Sequence, residues 1–229
     1  MNRRTLVATT AVALVGGFVA AAVFYDGNEQ ARRAEGSPPQ EELLVRPYSP
    51  VLGPEEAAVT IVEFFDPACE ACRAFYPVVK DIMAAYPGEV RIVLRYTPFH
   101  EGSEEVVRLL ETARLQGVFE PVLEAVLQAQ PAWAAHGAPR LSKAWSAAAA
   151  AGLDVEKARR DMLMPDITAI LNRDKADVEA VGVRQTPTFF VDGEPLDEFG
   201  AQELADLVAR QVEASRSGAG GWHGSCTAW

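Results

Sequence analysis

The 229-residue sequence is poor in cysteine and histidine, with three residues of each. Three cysteines are too few for a disulfide-stapled scaffold, and the chain is long enough to form a hydrophobic core without staples. Basic residues are also in the minority, because 21 lysines and arginines face 32 aspartates and glutamates, for a net charge of −11. A nucleic-acid partner needs clustered positive charge, so this balance argues against one.

The composition is otherwise that of an ordinary globular protein, with 49% hydrophobic and 23% charged residues. Such values exclude a disordered chain and a collagen. The length is compatible with one large domain or two small ones.

Residues 1–25 predict a signal peptide or an N-terminal membrane anchor. Two arginines precede an uncharged run of twenty residues at 6–25. Three consecutive alanines offer a cleavage site, whereas the length of the run suffices to span a bilayer, which makes the anchor the favoured alternative. Because the basic end stays in the cytoplasm, the rest of the chain is expected to face the periplasm. It would be tethered to the inner membrane by residues 6–25, or secreted after cleavage.

The body of the chain begins with the pattern of a strand–helix–strand unit. A polar, proline-containing linker is predicted at 26–45. β-branched and aromatic residues then predict a strand over 57–65, helical spacing predicts a helix over 69–86, and a second strand follows at 90–96. Short connections in this order imply two parallel strands.

The middle of the chain, residues 101–180, shows helical spacing and no strand signal, which predicts three to five helices. Trp133 and Trp145 in this stretch are most simply core residues, although a surface that contacts a substrate is the alternative. A strand returns at 188–191, followed by an Asp-Gly hairpin signal with a short partner strand over 195–199. An amphipathic helix is predicted from residue 200 to about residue 212.

Two cysteines three positions apart, Cys69 and Cys72, carry the strongest chemical signal. Zinc binding would require two further ligands, for which only Cys226 and the scattered histidines are available. A structural disulfide of this spacing closes a very small loop and stabilises little. The position between a strand and a helix favours a redox dithiol. The helix N-terminus would lower the pKa of Cys69, the more exposed nucleophile, and Cys72 would be the resolving thiol.

Glu63 and the Thr186-Pro187 pair are the other candidate site residues. Glu63 interrupts an apolar strand, so burial should raise the pKa of its carboxyl, which could then exchange a proton with Cys72. The alternative is a carboxylate that reaches solvent at the strand end. A cis peptide bond before Pro187 would leave the backbone groups of Thr186 free to pair with an extended substrate. A trans proline at the first residue of a strand is the plainer alternative.

Together these segments resemble the DsbA-like thiol–disulfide oxidoreductases of the thioredoxin superfamily. The likeness extends over about residues 45–213, and it is carried by the runs 63–72 and 186–189 and by Pro77. It implies an α/β thioredoxin fold with a helical subdomain inserted between the second and third strands. The implied organisation is a first half of the thioredoxin fold at 46–100, the helical insertion at 101–180, the second half at 181–214 and a flexible tail at 215–229.

The resemblance also implies roles for the candidate residues. Cys69 would attack, Cys72 would be its buried partner, Pro187 would be a cis-proline preceded by Thr186, and Glu63 would be the family's buried acid. Pro77 would mark a helix kink. The oxidising members have a histidine between the cysteines, whereas this sequence has Glu70-Ala71, so a less oxidising couple is expected.

The implied activity is disulfide exchange with the thiols of exported proteins, assisted by a membrane or soluble redox partner. No metal or organic cofactor is expected, because the cysteines themselves carry the electrons. A disulfide reductase or isomerase and a non-catalytic binding module are the alternatives. His100 is predicted to be a solvated loop residue, with a histidine that reaches the site as the alternative. Cys226 is predicted to be an inert tail thiol or a tethered thiol that forms mixed disulfides.

Overall fold

The computed structural model describes residues 40–218. The predicted signal or anchor, most of the linker and Cys226 lie outside this range. Within residues 40–218, no helix is both long and apolar enough to cross a lipid bilayer. The elements, in chain order, are α1 (Gln40–Leu44), β1 (Val51–Leu52), β2 (Val59–Phe65), α2 (Glu70–Ala85), β3 (Val90–Tyr96), α3 (Ser103–Leu115), α4 (Phe119–Gln128), α5 (Gln130–Trp133), α6 (Leu141–Ala150), α7 (Val155–Asp161), α8 (Pro165–Val181), β4 (Thr188–Val191), β5 (Glu194–Pro195) and α9 (Ala201–Arg216).

The sheet has the strand order β1-β3-β2-β4-β5, with β2 at its centre. β2 and β3 are parallel, which confirms the predicted strand–helix–strand unit, and β4 pairs with β2 in the antiparallel direction. Phe64 near the end of β2 is therefore opposite Thr188 at the start of β4. This pairing brings the segment before β4 close to the segment that follows β2, where α2 begins.

Helices cover both faces of the sheet, because the side chains of β2 alternate between two cores. Ile61 and Phe65 pack in the larger core with residues of α2, α9 and the helical insertion. Val62 and Phe64 pack on the opposite face in a smaller core that includes residues of α1 and α8. A strand buried on both faces is expected to be almost continuously apolar, as β2 is.

The helical insertion lies between β3 and β4, the second and third of the strands that the sequence predicted. The α/β class with its inserted helical subdomain is therefore confirmed. The structure has six helices here, α3 to α8, instead of three to five. The additional one is the four-residue α5, which is too short to show a helical repeat. Trp133 and Trp145 expose 0% and 4% of their surface, which confirms them as core residues.

The structure differs from the predicted boundaries at both ends of the described range. Residues 40–44 form α1 inside the predicted linker, because Leu43 and Leu44 are buried against the body of the protein. The strand predicted over 195–199 is reduced to the two-residue β5. The last helix continues to Arg216, past the residue where its apolar stripe ends.

A buried network of charged side chains connects the sheet to α8. Arg95 of β3 is fully buried, and its guanidinium donates hydrogen bonds to Asp174 at 2.8 Å and Asp177 at 2.7 Å, both on α8. Arg46 donates to Asp177 at 2.8 Å, and the Tyr48 hydroxyl donates to Asp174 at 2.9 Å. The network thus joins β3, α8 and the segment that precedes β1.

Candidate redox site

The two cysteines of the motif stand at the start of α2. Cys69 is the residue that caps the helix, and Cys72 lies in its first turn. A turn delivers the chain from β2 into this helix, because the Cys69 N–H donates to the Asp66 carbonyl at 3.0 Å. Both cysteines are free thiols in the structure, and their sulfur atoms are in hydrogen-bonding contact.

The Cys69 thiol is the more acidic of the two. Contact with the Cys72 thiol lowers the pKa of Cys69, and burial opposes this effect. The nearby side chain of Thr186 and the backbone N–H groups of Cys72 and Ala71 lower the pKa of Cys69 further, to about 5. Cys69 exposes only 6% of its surface, against 0% for Cys72, so it is the more accessible sulfur but less open than the sequence suggested.

Cys72 has the opposite character. Burial raises its pKa strongly, and the neighbouring Cys69 and Glu63 raise it further. Its sulfur accepts the Asp66 backbone N–H at 3.5 Å. Near neutral pH the pair therefore holds one proton, which stays on Cys72 while Cys69 is ionised.

Glu63 lies directly behind this pair on the central strand. It is 1% exposed, which excludes the alternative of a carboxylate that reaches solvent. Burial raises the pKa of Glu63 to about 8, with contact to the Cys72 thiol lowering it and the charge of Cys69 raising it. Its Oε1 atom has no hydrogen-bond partner among the described residues. The carboxyl is thus protonated at neutral pH and lies beside Cys72.

Thr186 and Pro187 face the cysteines from the segment before β4. Their peptide bond is cis. Cys69 Sγ lies 3.1 Å from the Thr186 carbonyl oxygen, a contact in which the sulfur donates only while it is protonated, whereas the sequence predicted a free carbonyl. The structure thus brings together all five site residues that the sequence predicted: Glu63, Cys69, Cys72, Thr186 and Pro187.

Asp66 is a site residue whose role the sequence analysis missed. Its fully buried carboxylate accepts hydrogen bonds from the backbone N–H groups of Ala68 at 2.8 Å, Phe99 at 2.8 Å and His100 at 2.9 Å. The Ser103 hydroxyl donates to it as well. One carboxylate therefore joins the turn before Cys69 to the loop between β3 and α3. The only sequence signal was an aspartate directly after a buried strand.

His100 is also part of this arrangement. Its Nδ1 atom lies 2.7 Å from Asp66 Oδ2, so it is a paired residue and not the solvated loop histidine that the sequence predicted. The His136 ring lies 6.2 Å away between centroids. Among the described residues, no three histidine, cysteine or acidic side chains are grouped so that they could hold a metal ion.

Gln130 is the second residue that the sequence analysis missed. This side chain of α5 is 1% exposed. Its amide nitrogen donates to the carbonyl oxygens of Pro67 at 2.8 Å and Cys69 at 2.9 Å. Its amide oxygen accepts from Arg73 Nε at 2.8 Å. A glutamine in an insertion gives no sequence signal, because its partners lie about 60 residues away along the chain.

Comparisons with known proteins agree with this geometry. The family model described as Thioredoxin matches residues 46–209. A thioredoxin-like oxidoreductase from Silicibacter pomeroyi is 30% identical, with a TM-score of 0.65 over 79% of this chain and 99% of that one. The alpha-DsbA1 protein of Wolbachia pipientis shares 17% identity, with a TM-score of 0.67 over 79% of this chain and 99% of that one, which is a likeness of fold.

A curated relative carries a different name. The chain is 35% identical over 168 residues to a protein of Herminiimonas arsenicoxydans named Na(+)/H(+) antiporter NhaA, a match that covers 73% of this chain. It spans only 26% of the length of that relative, so the transport in the name describes the longer protein. The match to the family model covers most of the chain. The chain therefore belongs to the thioredoxin family, and its fold is that of the DsbA-like thiol–disulfide oxidoreductases.

Proposed function

We propose that this protein is a thiol–disulfide oxidoreductase that exchanges disulfides with exported protein substrates through Cys69 and Cys72. The observation that carries the proposal is the placement of the two cysteines, because Cys69 caps α2 with its sulfur 3.1 Å from the Thr186 carbonyl oxygen and Cys72 is fully buried in the first turn. In this arrangement the pKa of Cys69 is lowered to about 5 and that of Cys72 is raised. When one sulfur is ionised and the more exposed of the two, and the other is buried and protonated, exchange is directed to the first sulfur alone.

In the oxidising direction, a substrate thiolate attacks Cys69 Sγ of the Cys69–Cys72 disulfide. The bond between the two cysteines breaks, and Cys72 leaves as a thiolate that takes a proton from Glu63. A second substrate thiolate then attacks the substrate sulfur of the mixed disulfide, and Cys69 leaves as a thiolate. The substrate loses two electrons and gains a disulfide, while the enzyme dithiol gains both electrons.

The acidity of Cys69 favours this direction over the reverse. A low pKa makes Cys69 a good leaving group, and it stabilises the reduced enzyme relative to the disulfide. Reduction or isomerisation of substrate disulfides runs through the same atoms, with reduced Cys69 attacking first. Glu70 places a carboxylate beside Cys69, which supports a couple less oxidising than one with a histidine at that position.

Exposed aromatic side chains next to the site support a protein as the substrate. Phe199 is 51% exposed and packs on Phe75 of α2 at 4.6 Å between ring centroids. Phe99 is 49% exposed and lies in the loop that Asp66 holds. Large exposed apolar side chains suit contact with an incompletely folded chain.

The basic and uncharged N-terminal residues support a place of action in the periplasm. The export signal or anchor of residues 1–25 would deliver the domain there, tethered by residues 6–25 or free after cleavage. The reduced enzyme would then be re-oxidised by a membrane or soluble redox partner. A non-catalytic thioredoxin-fold binding module is the remaining alternative.

Exchange with a reduced two-cysteine peptide, followed by mass spectrometry, tests the proposal. We expect Cys69→Ser to abolish peptide oxidation and Cys72→Ser to accumulate the mixed disulfide, while Cys226→Ser serves as the matched control with unchanged exchange. Unimpaired peptide oxidation by Cys69→Ser would contradict the proposal. Equilibration with glutathione measures the reduction potential of the Cys69–Cys72 couple and so shows whether the protein oxidises or reduces its substrates. A potential at or below about −270 mV would identify a reductase.

A further inference from the structure

The redox turn, residues 66–69, is held from two sides. On one side, the Asp66 carboxylate accepts the Ala68 N–H at 2.8 Å. On the other, Gln130 of the helical insertion donates to the carbonyl oxygens of Pro67 and Cys69 at 2.8 and 2.9 Å. The second set of contacts comes from a side chain that is itself 99% buried, since Gln130 exposes 1% of its surface.

All the hydrogen-bonding groups of the Gln130 amide head are oriented by this environment. Arg73 Nε donates to the amide oxygen at 2.8 Å, which fixes the oxygen toward α2 and turns the NH₂ group toward the two carbonyls. A buried amide that keeps every partner is rigid, because a lost hydrogen bond would leave a buried polar group unpaired. The head of Gln130 therefore has one orientation, set by the residue that follows Cys72.

The position of the Cys69 backbone decides how the fold stabilises its sulfur. Cys69 is the residue that caps α2, and the backbone N–H groups of Ala71 and Cys72 in the first turn are among the groups that lower the pKa of Cys69. Gln130 donates a hydrogen bond to the Cys69 carbonyl oxygen, which also accepts the Arg73 N–H at 3.1 Å in the first turn of the helix.

We propose that Gln130 is a positioning residue, through which the helical insertion fixes the redox turn so that Cys69 keeps its place at the N-terminus of α2. The proposal deepens the proposed function and rests on it for its biological meaning. Gln130 contacts no sulfur atom in the structure and acts through the Pro67 and Cys69 carbonyls.

Gln130→Glu and Gln130→Met are the informative variants, because both keep the length of the side chain. Gln130→Glu retains an acceptor for Arg73 and loses both donors to the turn, whereas Gln130→Met loses all three contacts. Gln128→Glu and Gln128→Met are the matched controls, since Gln128 is an exposed glutamine two positions earlier.

The readout is the pH dependence of alkylation of reduced Cys69 in the Cys226→Ser background, which reports the thiol pKa without any protein substrate. We expect the midpoint of about 5 to rise by about one pH unit in both Gln130 variants, which slows alkylation at pH 5 about fivefold. The Gln128 variants should retain the original midpoint. Denaturation in urea shows which variants are folded.

Arg73→Met keeps the test decisive if the buried substitutions prevent folding. This variant leaves Gln130 in place and removes the group that orients it, so a smaller shift of the midpoint in the same direction is expected. Unchanged midpoints in the folded variants would overturn the proposal. A shifted midpoint in a protein that fails to oxidise the two-cysteine peptide would uphold Gln130 as a positioning residue and reject only the proposed function.

Discussion

At the scale of the residue, the carboxyl of Glu63 is the ionisable group whose state depends most on the fold. In an unfolded chain its pKa is about 4.3. In the folded protein, burial raises the pKa to about 8. Between these two values the folded protein holds a proton that the unfolded chain has lost. The free energy of unfolding therefore falls as the pH rises from about 4.3 through about 8.

We expect Glu63→Gln to remove this pH dependence, because a glutamine keeps the shape of the protonated acid and does not ionise. The variant should gain stability relative to the natural protein between pH 4.5 and pH 8.5, by at least about 1 kcal/mol. Urea denaturation at the two pH values measures the gain. Glu101→Gln is the control, since Glu101 is exposed. Parallel profiles for Glu63→Gln and the natural protein would show that Glu63 ionises normally.

At the scale of the element, Asp66 connects the start of α2 to the start of α3. We expect Asp66→Asn to destabilise the fold by about 2–4 kcal/mol. Four residues now donate hydrogen bonds to the two carboxylate oxygens of Asp66, whereas an asparagine amide offers only one acceptor oxygen. Urea denaturation checks the loss, and Asp81→Asn on the exposed side of α2 is the control. A loss under about 0.5 kcal/mol would show that the loop does not depend on the carboxylate.

The elements also show what the sequence could predict. The strand β3 was predicted over the same residues that the structure gives, 90–96, because local hydrophobicity decides which residues enter a buried sheet. Cys69, Cys72 and Glu63 were found because each is unusual within its own element. Asp66 and Gln130 are ordinary polar residues locally, and only the folded chain shows what they contact. Gln130 lies 63 residues from Pro67.

At the scale of the whole molecule, the charges around Arg95 join three distant parts of the chain. Arg95 also donates to the carbonyl of Leu43, so this side chain secures the segment before β1 as well as α8. The sequence places arginine in a buried strand without indicating a partner, since Asp174 is 79 residues away. Residues 40–45 belong to the folded body for the same reason, although they adjoin the polar linker.

We expect Arg95→Met to cost about 3–5 kcal/mol of unfolding free energy, because it leaves Asp174 without its buried cation. Arg216→Met is the control, since Arg216 pairs with Glu89 at the surface and such pairs contribute at most about 1 kcal/mol. Thermal and urea denaturation of both variants provide the comparison. Equal losses in the two variants would mean that the buried network stabilises no more than a surface ion pair.

The groups that make Cys69 acidic come from the first turn of α2 and from the stretch before β4, which lies 117 residues further along the chain and reaches Cys69 only in the folded protein. In a still unfolded chain, the same sulfur would have a pKa of about 8.5 and would be about 3% ionised at pH 7. The Cys69 sulfur therefore becomes reactive only when the tertiary structure has formed. A molecule that has not finished folding therefore carries a Cys69 thiol no more reactive than an ordinary cysteine.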